Sequence, residues 1–307
     1  MTHRSPVCQH ERVNDLAVRV DDVRKRYGDL DALDGATFDI RMGECFALLG
    51  PNGAGKTTAT EILEGYRTRD SGDVQVLGLD PVHANRAWRA QLGIVLQTDR
   101  DLGDLTVVEA VEHFAGYFPR PRDTDEVIEA VGLTDKRKSR NEKLSGGQRR
   151  RLDVALGIIG RPQLLFLDEP TTGFDPEARR EFWALIEGLK REGTTILLTT
   201  HYLEEAERLA DRVAVISRGR VLACDTPDDL GGRERRSTRV SWREDGARVE
   251  AQTMTPTKAI GELAARFDGE IPGLEVRRET LEDVYLELIE DDRGREQPAP
   301  VAEVDIQ

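Results

Sequence analysis

The segment GPNGAGKT at residues 50–57 limits what this chain can fold into more than any other part of its sequence. It matches the pattern G-x-x-x-x-G-K-[ST] completely, with a short apolar run at 45–49 before it and a helix-like segment at 57–63 after it. Glycines let the backbone curl so that successive N–H groups point toward phosphate oxygens, and the N-terminus of the following helix adds positive potential. The segment therefore predicts a phosphate-binding loop in an α/β domain.

The residues of this loop are predicted to bind the nucleotide. Lys56 is expected to meet the β- and γ-phosphates, and the Thr57 hydroxyl is expected to bind Mg²⁺. The predicted contact residues are Gly50, Pro51, Asn52, Gly53, Ala54, Gly55, Lys56, Thr57 and Thr58.

A second motif, LLFLDE at 164–169, is an apolar strand that ends in two carboxylates. Two acids after a strand would be a helix cap in most proteins, but here a phosphate-binding loop precedes them in the chain. Asp168 is then predicted to hold Mg²⁺ through its water shell, and Glu169 to act as the general base on an attacking water.

The domain organisation follows from the alternation of short apolar runs with amphipathic stretches, which is typical of α/β domains. Strands are predicted at 17–23, 36–40, 45–49, 164–167, 195–199 and 213–216 in the larger part, and at 240–242 and 249–252 beyond it. Helices are predicted from Asp175 up to Gly193, at 257–267 and at 280–290. We expect a flexible extension at 1–16, a nucleotide-binding domain at 17–229 with an inserted helical lobe at about 98–161, a small α/β domain at 230–293, and a disordered tail at 294–307.

Charge and hydropathy limit the kinds of partner that the chain is expected to have. The formal net charge of −14 argues against a nucleic-acid partner, because binding to a phosphate backbone requires clustered cations. Apolar runs stay far below the ~18 residues that cross a bilayer, and the first residues lack the apolar stretch of a secretory signal. The chain is therefore expected in the cytosol, and any membrane association would be peripheral.

A third motif, LSGGQ at 144–148, precedes an amphipathic helix. Taken alone it is a flexible turn that caps this helix, but it is also a second anion-binding terminus in the same chain. One nucleotide does not need two such termini from one subunit. A nucleotide held by another subunit of a head-to-tail dimer explains the second terminus, and its predicted contacts are Ser145, Gly146, Gly147 and Gln148.

With this motif, the chain resembles the ATPases of ABC transporters over residues 17–228. Further residues match the family's motifs in order: Tyr27 in KRYGDLDAL, Gln97 in GIVLQ, Asp175 in GFDPEA and His201 in LLTTHYLEEAE. Phe174 stands where the family usually has Leu. The resemblance implies a P-loop NTPase fold of the ABC nucleotide-binding type, an inserted helical lobe and the small C-terminal α/β domain.

The resemblance also implies a role for each matched residue. Tyr27 would stack on adenine, Gln97 would lie near Mg²⁺ and the membrane partner, and His201 would contact the γ-phosphate. Asp175 would lie in the loop that crosses to the opposite subunit. Two ATP molecules would be bound between two copies of the chain, and hydrolysis would drive a separately encoded transmembrane permease.

The C-terminal region, ending in TLEDVYLEL, resembles that of ATPases in the drug-resistance exporter branch. This predicts a multidrug or antibiotic exporter. The alternatives are an importer ATPase, which would share every core motif, and a lipid or polysaccharide exporter. A translation-associated ATPase would normally carry two motif sets and basic ribosome contacts, and a repair ATPase would carry long coiled coils before LSGGQ. This chain has neither feature.

Overall fold

The computed structural model describes residues 15–95, 102, 104–235, 238–277 and 280–294 of the 307-residue chain. It divides into two compact units between Pro227 and Asp228, two residues before the boundary expected from sequence. The expected N-terminal extension and C-terminal tail lie outside the described residues, apart from residues 15, 16 and 294.

The first unit alternates strands and helices. Its strands are β1 Leu16–Tyr27, β2 Leu30–Arg41, β3 Cys45–Leu49, β4 Ser71–Val76, β5 Leu92–Val95, β6 Leu164–Asp168, β7 Thr195–Thr200, β8 Arg212–Ser217 and β9 Arg220–Asp225. Its helices are α1 Lys56–Leu63, α2 Arg86–Arg89, α3 Val107–Ala115, α4 Thr124–Ala130, α5 Gly146–Ile158, α6 Pro176–Arg191 and α7 Leu203–Leu209.

A six-stranded sheet in the order β5-β6-β7-β3-β8-β9 forms the centre of this unit. The strands from β5 to β8 are parallel, and β9 pairs antiparallel with β8. Strands that are buried on both faces are expected to be apolar throughout, and β3 and β8 are buried at every position. The prediction of central parallel strands at 45–49, 164–167, 195–199 and 213–216 is confirmed.

The first two predicted strands belong to a different sheet. β1 pairs antiparallel with β2 and β4, giving the order β2-β1-β4. Both strands are also longer than the predicted 17–23 and 36–40. The helices α3, α4 and α5 fall within the residues predicted to form a helical lobe.

Successive residues of the central strands point to opposite faces and fill two cores. Leu165 and Leu167 pack with the apolar faces of α3, α4, α5 and α6. Phe166, between them, packs on the other side with α1 and the antiparallel sheet. The central sheet is thus held on both sides, which fixes where each of its strands ends.

Local capping sets the start of α6, the helix that the sequence predicts from Asp175. Asp175 accepts a hydrogen bond from the Ala178 amide at 2.8 Å, and Pro176 occupies the first position of α6. The helix ends before Gly193, whose φ of +87° is easily reached only by glycine. The helix predicted from Asp175 is confirmed at both ends.

The second unit is a small α/β assembly in which the two predicted strands and two predicted helices are confirmed, and a further short strand at 275–277 was not predicted. Its elements are β10 Thr238–Glu244, β11 Ala247–Thr253, α8 Pro256–Arg266, β12 Glu275–Arg277 and α9 Leu281–Gly294. The strands form an antiparallel sheet in the order β11-β10-β12, and Val240, Trp242 and Ile271 pack with residues of α8. At the start of α9, Asp283 accepts from the Thr280 amide at 2.9 Å and donates its own amide to the Thr280 hydroxyl at 3.2 Å. This is the capping box with Asp in place of Glu that the sequence predicted.

Across the described ranges, no helix combines the length and the apolar character needed to cross a membrane.

Replacing Phe166 by Ala is expected to lower the free energy of unfolding of the first unit by about 3–5 kcal/mol, because it leaves a cavity under the central sheet. Phe166 is 1% exposed. The measurement is the urea unfolding midpoint by tryptophan fluorescence in a Trp242→Phe background, where Trp88 and Trp183 report on the first unit alone. Phe166→Leu retains most of the volume and should lose less. Equal midpoints for wild type and Phe166→Ala would contradict this packing.

Candidate nucleotide-binding and catalytic site

The loop between β3 and α1 depends on glycine at two points. A Cβ atom at Gly50 would lie 2.3 Å from the Ile216 carbonyl oxygen, and one at Gly55 would lie 2.4 Å from the Ala32 carbonyl oxygen. Gly55 also has a φ of +107°, which side-chain-bearing residues rarely adopt. Both glycines are therefore required for the close approach of this loop to the sheet and to β2.

Lys56, the first residue of α1, folds back over the loop. It is only 6% exposed, and its Nζ donates to the carbonyl oxygens of Gly50 at 2.7 Å and Pro51 at 3.2 Å. Burial lowers the pKa of this ammonium, and the nearby carboxylates of Glu169 and Asp168 oppose that shift. The lysine thus braces an already curled loop.

Glu169 follows the end of β6 in a strained backbone conformation. Its φ is +42°, in the left-handed region, which costs a non-glycine residue about 1–3 kcal/mol when the surroundings enforce it. The Glu169 amide donates to the carbonyl of Thr199 at 3.1 Å and to the Thr199 hydroxyl at 3.2 Å. The same hydroxyl donates to Asp168, so β7 holds both acids.

The Glu169 carboxylate lies between a lysine and a histidine. Its Oε1 is 3.9 Å from Lys56 Nζ and 3.3 Å from His201 Nδ1, and its side chain is 13% exposed. The structure therefore brings together three of the residues predicted from separate motifs. This partly buried carboxylate can accept a proton from a water molecule bound beside the phosphate loop.

A buried carboxylate, Glu205 of α7, connects the loops after β6 and β7. It accepts hydrogen bonds from the hydroxyls of Thr200, at 2.6 Å, and of Thr171. Thr200 in turn accepts from the Tyr202 amide at 2.9 Å, which fixes the chain on both sides of His201. Burial raises the pKa of Glu205, and the bond from Thr200 opposes that rise.

Tyr27, predicted to stack on adenine, is the last residue of β1 and is 38% exposed. Lys25 Nζ lies 5.5 Å and Arg67 Cζ lies 5.4 Å from its ring centre. Arg67 pairs with Glu61 of α1, so the aromatic ring is connected to the helix that begins at the phosphate loop.

The LSGGQ segment forms the start of α5. Ser145 is the N-cap: the Gln148 amide donates to its hydroxyl at 3.3 Å, and its own amide donates to Gln148 Oε1 at 3.1 Å. Ser145 and Gly146 are exposed. No contact described for this chain joins Ser145 or Gln148 to Lys56, and Asp175 serves as the cap of α6.

Sequence reasoning missed several residues that hold the site. Gln97 lies outside the described residues, so its predicted role stays a prediction. The residues that the sequence did not single out are Glu64, Arg150, Thr199 and Glu205. Arg150 and Glu205 could have been found from the sequence, since each is a charged residue on the apolar face of an amphipathic helix, where it is buried.

Comparisons with known proteins agree on one family. The family model described as ABC transporter matches residues 33–172. The chain is 38% identical to the daunorubicin resistance ATP-binding protein DrrA3 of Streptomyces coeruleorubidus, covering 91% of this chain and 98% of the relative. It is 40% identical to the Nod factor export ATP-binding protein I of Ralstonia nicotianae, covering 88% of this chain and 92% of the relative. A solved ATP-binding subunit of an ABC transporter shares the fold, with a TM-score of 0.67 at 24% identity over 89% of this chain and 99% of that one.

A pH-dependent stability is expected from Glu64, which follows α1. Burial, with help from the charges of Asp168 and Glu61, raises its pKa from 4.5 to about 8. Because the folded-state pKa is above the unfolded value, the folded state favours the protonated acid. Its stabilising contribution is complete below about pH 4.5 and is lost as the pH rises to about 8.

Glu64→Gln keeps a neutral side chain at every pH, so the difference in melting temperature between variant and wild type should grow from pH 5 to pH 9 in the variant's favour. The measurement is thermal unfolding in buffer free of nucleotide and magnesium. The exposed Glu129→Gln serves as the control and should show a constant difference. A pH-independent difference for Glu64→Gln would contradict the raised pKa.

Proposed function

This chain belongs to the ABC transporter family as an ATP-binding subunit with ATPase activity, and we propose that it powers an exporter whose permease is a separate membrane protein. The observation that carries the catalytic part of the proposal is the convergence of Lys56, Glu169 and His201 beside the phosphate loop. Lys56 would bind the phosphates and Glu169 would bind the attacking water, and both lie next to each other and to His201.

The proposed chemistry assigns a step to each of these groups. Lys56 exchanges its carbonyl partners Gly50 and Pro51 for the β- and γ-phosphates of ATP. Glu169 takes a proton from the water that attacks the γ-phosphorus, and His201 donates a hydrogen bond to the γ-phosphate. ADP and inorganic phosphate leave, and Glu169 releases its proton to solvent.

The residues near the loop also suit a magnesium ion. Mg²⁺ prefers oxygen ligands, and the Thr57 hydroxyl and the Asp168 carboxylate supply them, with Gln97 as the third predicted group. The hydrogen bond from the Thr199 hydroxyl orients Asp168 for this role. When bound, the ion would neutralise charge on the β- and γ-phosphates.

We propose that two copies of the chain act together. Residues 145–148 form the N-terminus of α5, where Ser145 and Gly146 are exposed, and this is a suitable anion site. No described contact joins Ser145 or Gln148 to Lys56. A partner copy in head-to-tail arrangement would present its γ-phosphate there, while Asp175 lies in the segment that crosses between the copies. Closing and opening of this dimer would move the permease.

Export is the direction that the relatives favour, because their names refer to daunorubicin resistance and to Nod factor export. The substrate, a drug or alternatively a lipid or polysaccharide, would be bound by the permease. The chain itself would associate peripherally with the cytoplasmic face of the membrane through that permease.

Replacing Glu169 by Gln is expected to slow ATP hydrolysis about 100-fold or more, because the amide cannot accept the proton from water. ATP binding should persist, since Lys56 and the loop are unchanged. The measurements are phosphate release in Mg-ATP and light scattering after size-exclusion chromatography, in which the variant should form a stable ATP-dependent dimer.

Glu129→Gln is the matched control, since it makes the same change on an exposed face of α4, and it should hydrolyse ATP as the wild type does. Unchanged turnover in Glu169→Gln would refute the assignment of the base. A Glu169→Gln chain that binds ATP but stays monomeric would refute the homodimer.

A further inference from the structure

Arg150 is a buried arginine close to the site. Neither the LSGGQ motif before it nor the proposed mechanism gives it a role. It lies in α5, the helix that begins at Ser145, and is 7% exposed. Its Nη2 donates to the carbonyl oxygen of Asp168 at 2.6 Å, and its Nε donates to the carbonyl oxygen of Pro170 at 3.1 Å.

These two carbonyls lie on either side of Glu169, the residue with the left-handed φ. On its other side, the Glu169 amide is bound by Thr199 of β7. The main chain of the general base is therefore held from two directions, by a strand and by an arginine. A rotation of the peptide between Asp168 and Glu169 would turn the Glu169 carboxylate away from Lys56 and His201.

The same arginine connects this segment to the LSGGQ terminus. Arg150 lies about one and a half helical turns after Ser145, on one continuous helix. A displacement of the helix start would be transmitted through the helix to the guanidinium, since a short helix moves as a rigid body. The carbonyls of Asp168 and Pro170 would then feel that displacement directly.

We propose that Arg150 is a positioning residue that couples nucleotide binding at residues 145–148 to the orientation of Glu169. When the γ-phosphate bound by the partner copy engages this helix terminus, Arg150 fixes the peptides around Glu169 in the hydrolytic geometry. The inference rests on the proposed roles of Glu169 and of the LSGGQ terminus. It adds a route by which the binding of one nucleotide controls hydrolysis of the other.

The geometry of the guanidinium explains why an arginine is required. Two of its N–H groups reach two carbonyls at a fixed spacing, which the single ammonium of a lysine reproduces only in part. A purely structural role would predict something different: lower stability after substitution, with normal turnover by the molecules that remain folded.

The test compares Arg150→Lys, Arg150→Gln and Arg150→Met in the full-length chain. We expect kcat for ATP to fall about 100-fold in Arg150→Met, the loss typical of a displaced catalytic group, while KM changes less than about threefold. Arg150→Lys should retain an intermediate kcat. Circular dichroism and thermal unfolding identify folded variants, and the lysine and glutamine variants keep the test valid if the methionine variant does not fold.

A double-variant cycle separates positioning from general damage. If Arg150 acts through Glu169, then adding Arg150→Met to Glu169→Gln should not slow the residual turnover further. The double variant should still dimerise with ATP as Glu169→Gln does, because residues 145–148 are intact. Arg137→Met, which removes an arginine that pairs with Asp125 in the helical lobe at 2.8 Å, is the control and should keep wild-type kcat.

Two outcomes would overturn the inference, and they differ from a failure of the proposed function. Wild-type kcat in Arg150→Met, or an additive further loss in the double variant, would refute the coupling while Glu169 keeps its role. Full turnover by Glu169→Gln alone would refute the general base, and the inference would fall with it.

Discussion

The parallel pairing of β3, β7 and β6 is the constraint on which the site depends. Leu49 is paired with Thr200, and Asp168 is paired with Thr199, so the three strands end at one edge of the sheet. The residues that come next are Gly50, Glu169 and His201. A parallel sheet delivers the ends of successive strands to the same edge, which is why ligands of α/β proteins bind there. A shift of one residue in either pairing would send these side chains to opposite faces.

Charge balance explains why this edge is stable before a nucleotide binds. Lys56 is buried, and an isolated buried ammonium is costly, but two carbonyl oxygens and the carboxylate of Glu169 compensate it. This compensation of the Lys56 charge is incomplete, since the 3.9 Å between Lys56 Nζ and Glu169 Oε1 is long for an ion pair. Phosphate oxygens would offer Lys56 closer and more highly charged partners, so ATP binding completes an arrangement that the fold has already built.

The features that could be predicted from the sequence are those determined by residues close together in the chain. The phosphate loop, the apolar strands of the central sheet and the caps at Ser145, Asp175 and Thr280 all depend on residues within one short segment. The strands β4, β5, β9 and β12 were missed, since three to six residues without a regular alternation of burial give a weak periodic signal. Thr199 could not be assigned a role, because its contact with the two acids comes from the pairing of strands that are distant in sequence. The pattern also could not assign β1 and β2 to a separate antiparallel sheet, for the same reason.

The strained backbone at Glu169 connects these observations. A left-handed residue relaxes unless its surroundings oppose the rotation. Two residues oppose it here: Thr199 at the Glu169 amide, and Arg150 at the carbonyls of Asp168 and Pro170. Thr199 belongs to the rigid sheet, whereas Arg150 belongs to a helix whose start is exposed. If a ligand shifts the start of α5, as we propose, the contacts of Arg150 would carry that shift to the main chain around Glu169. If both contacts to Glu169 were rigid, its orientation would not respond to a ligand at the start of α5. The proposed cycle, in which nucleotide binding and hydrolysis alternate, requires that response.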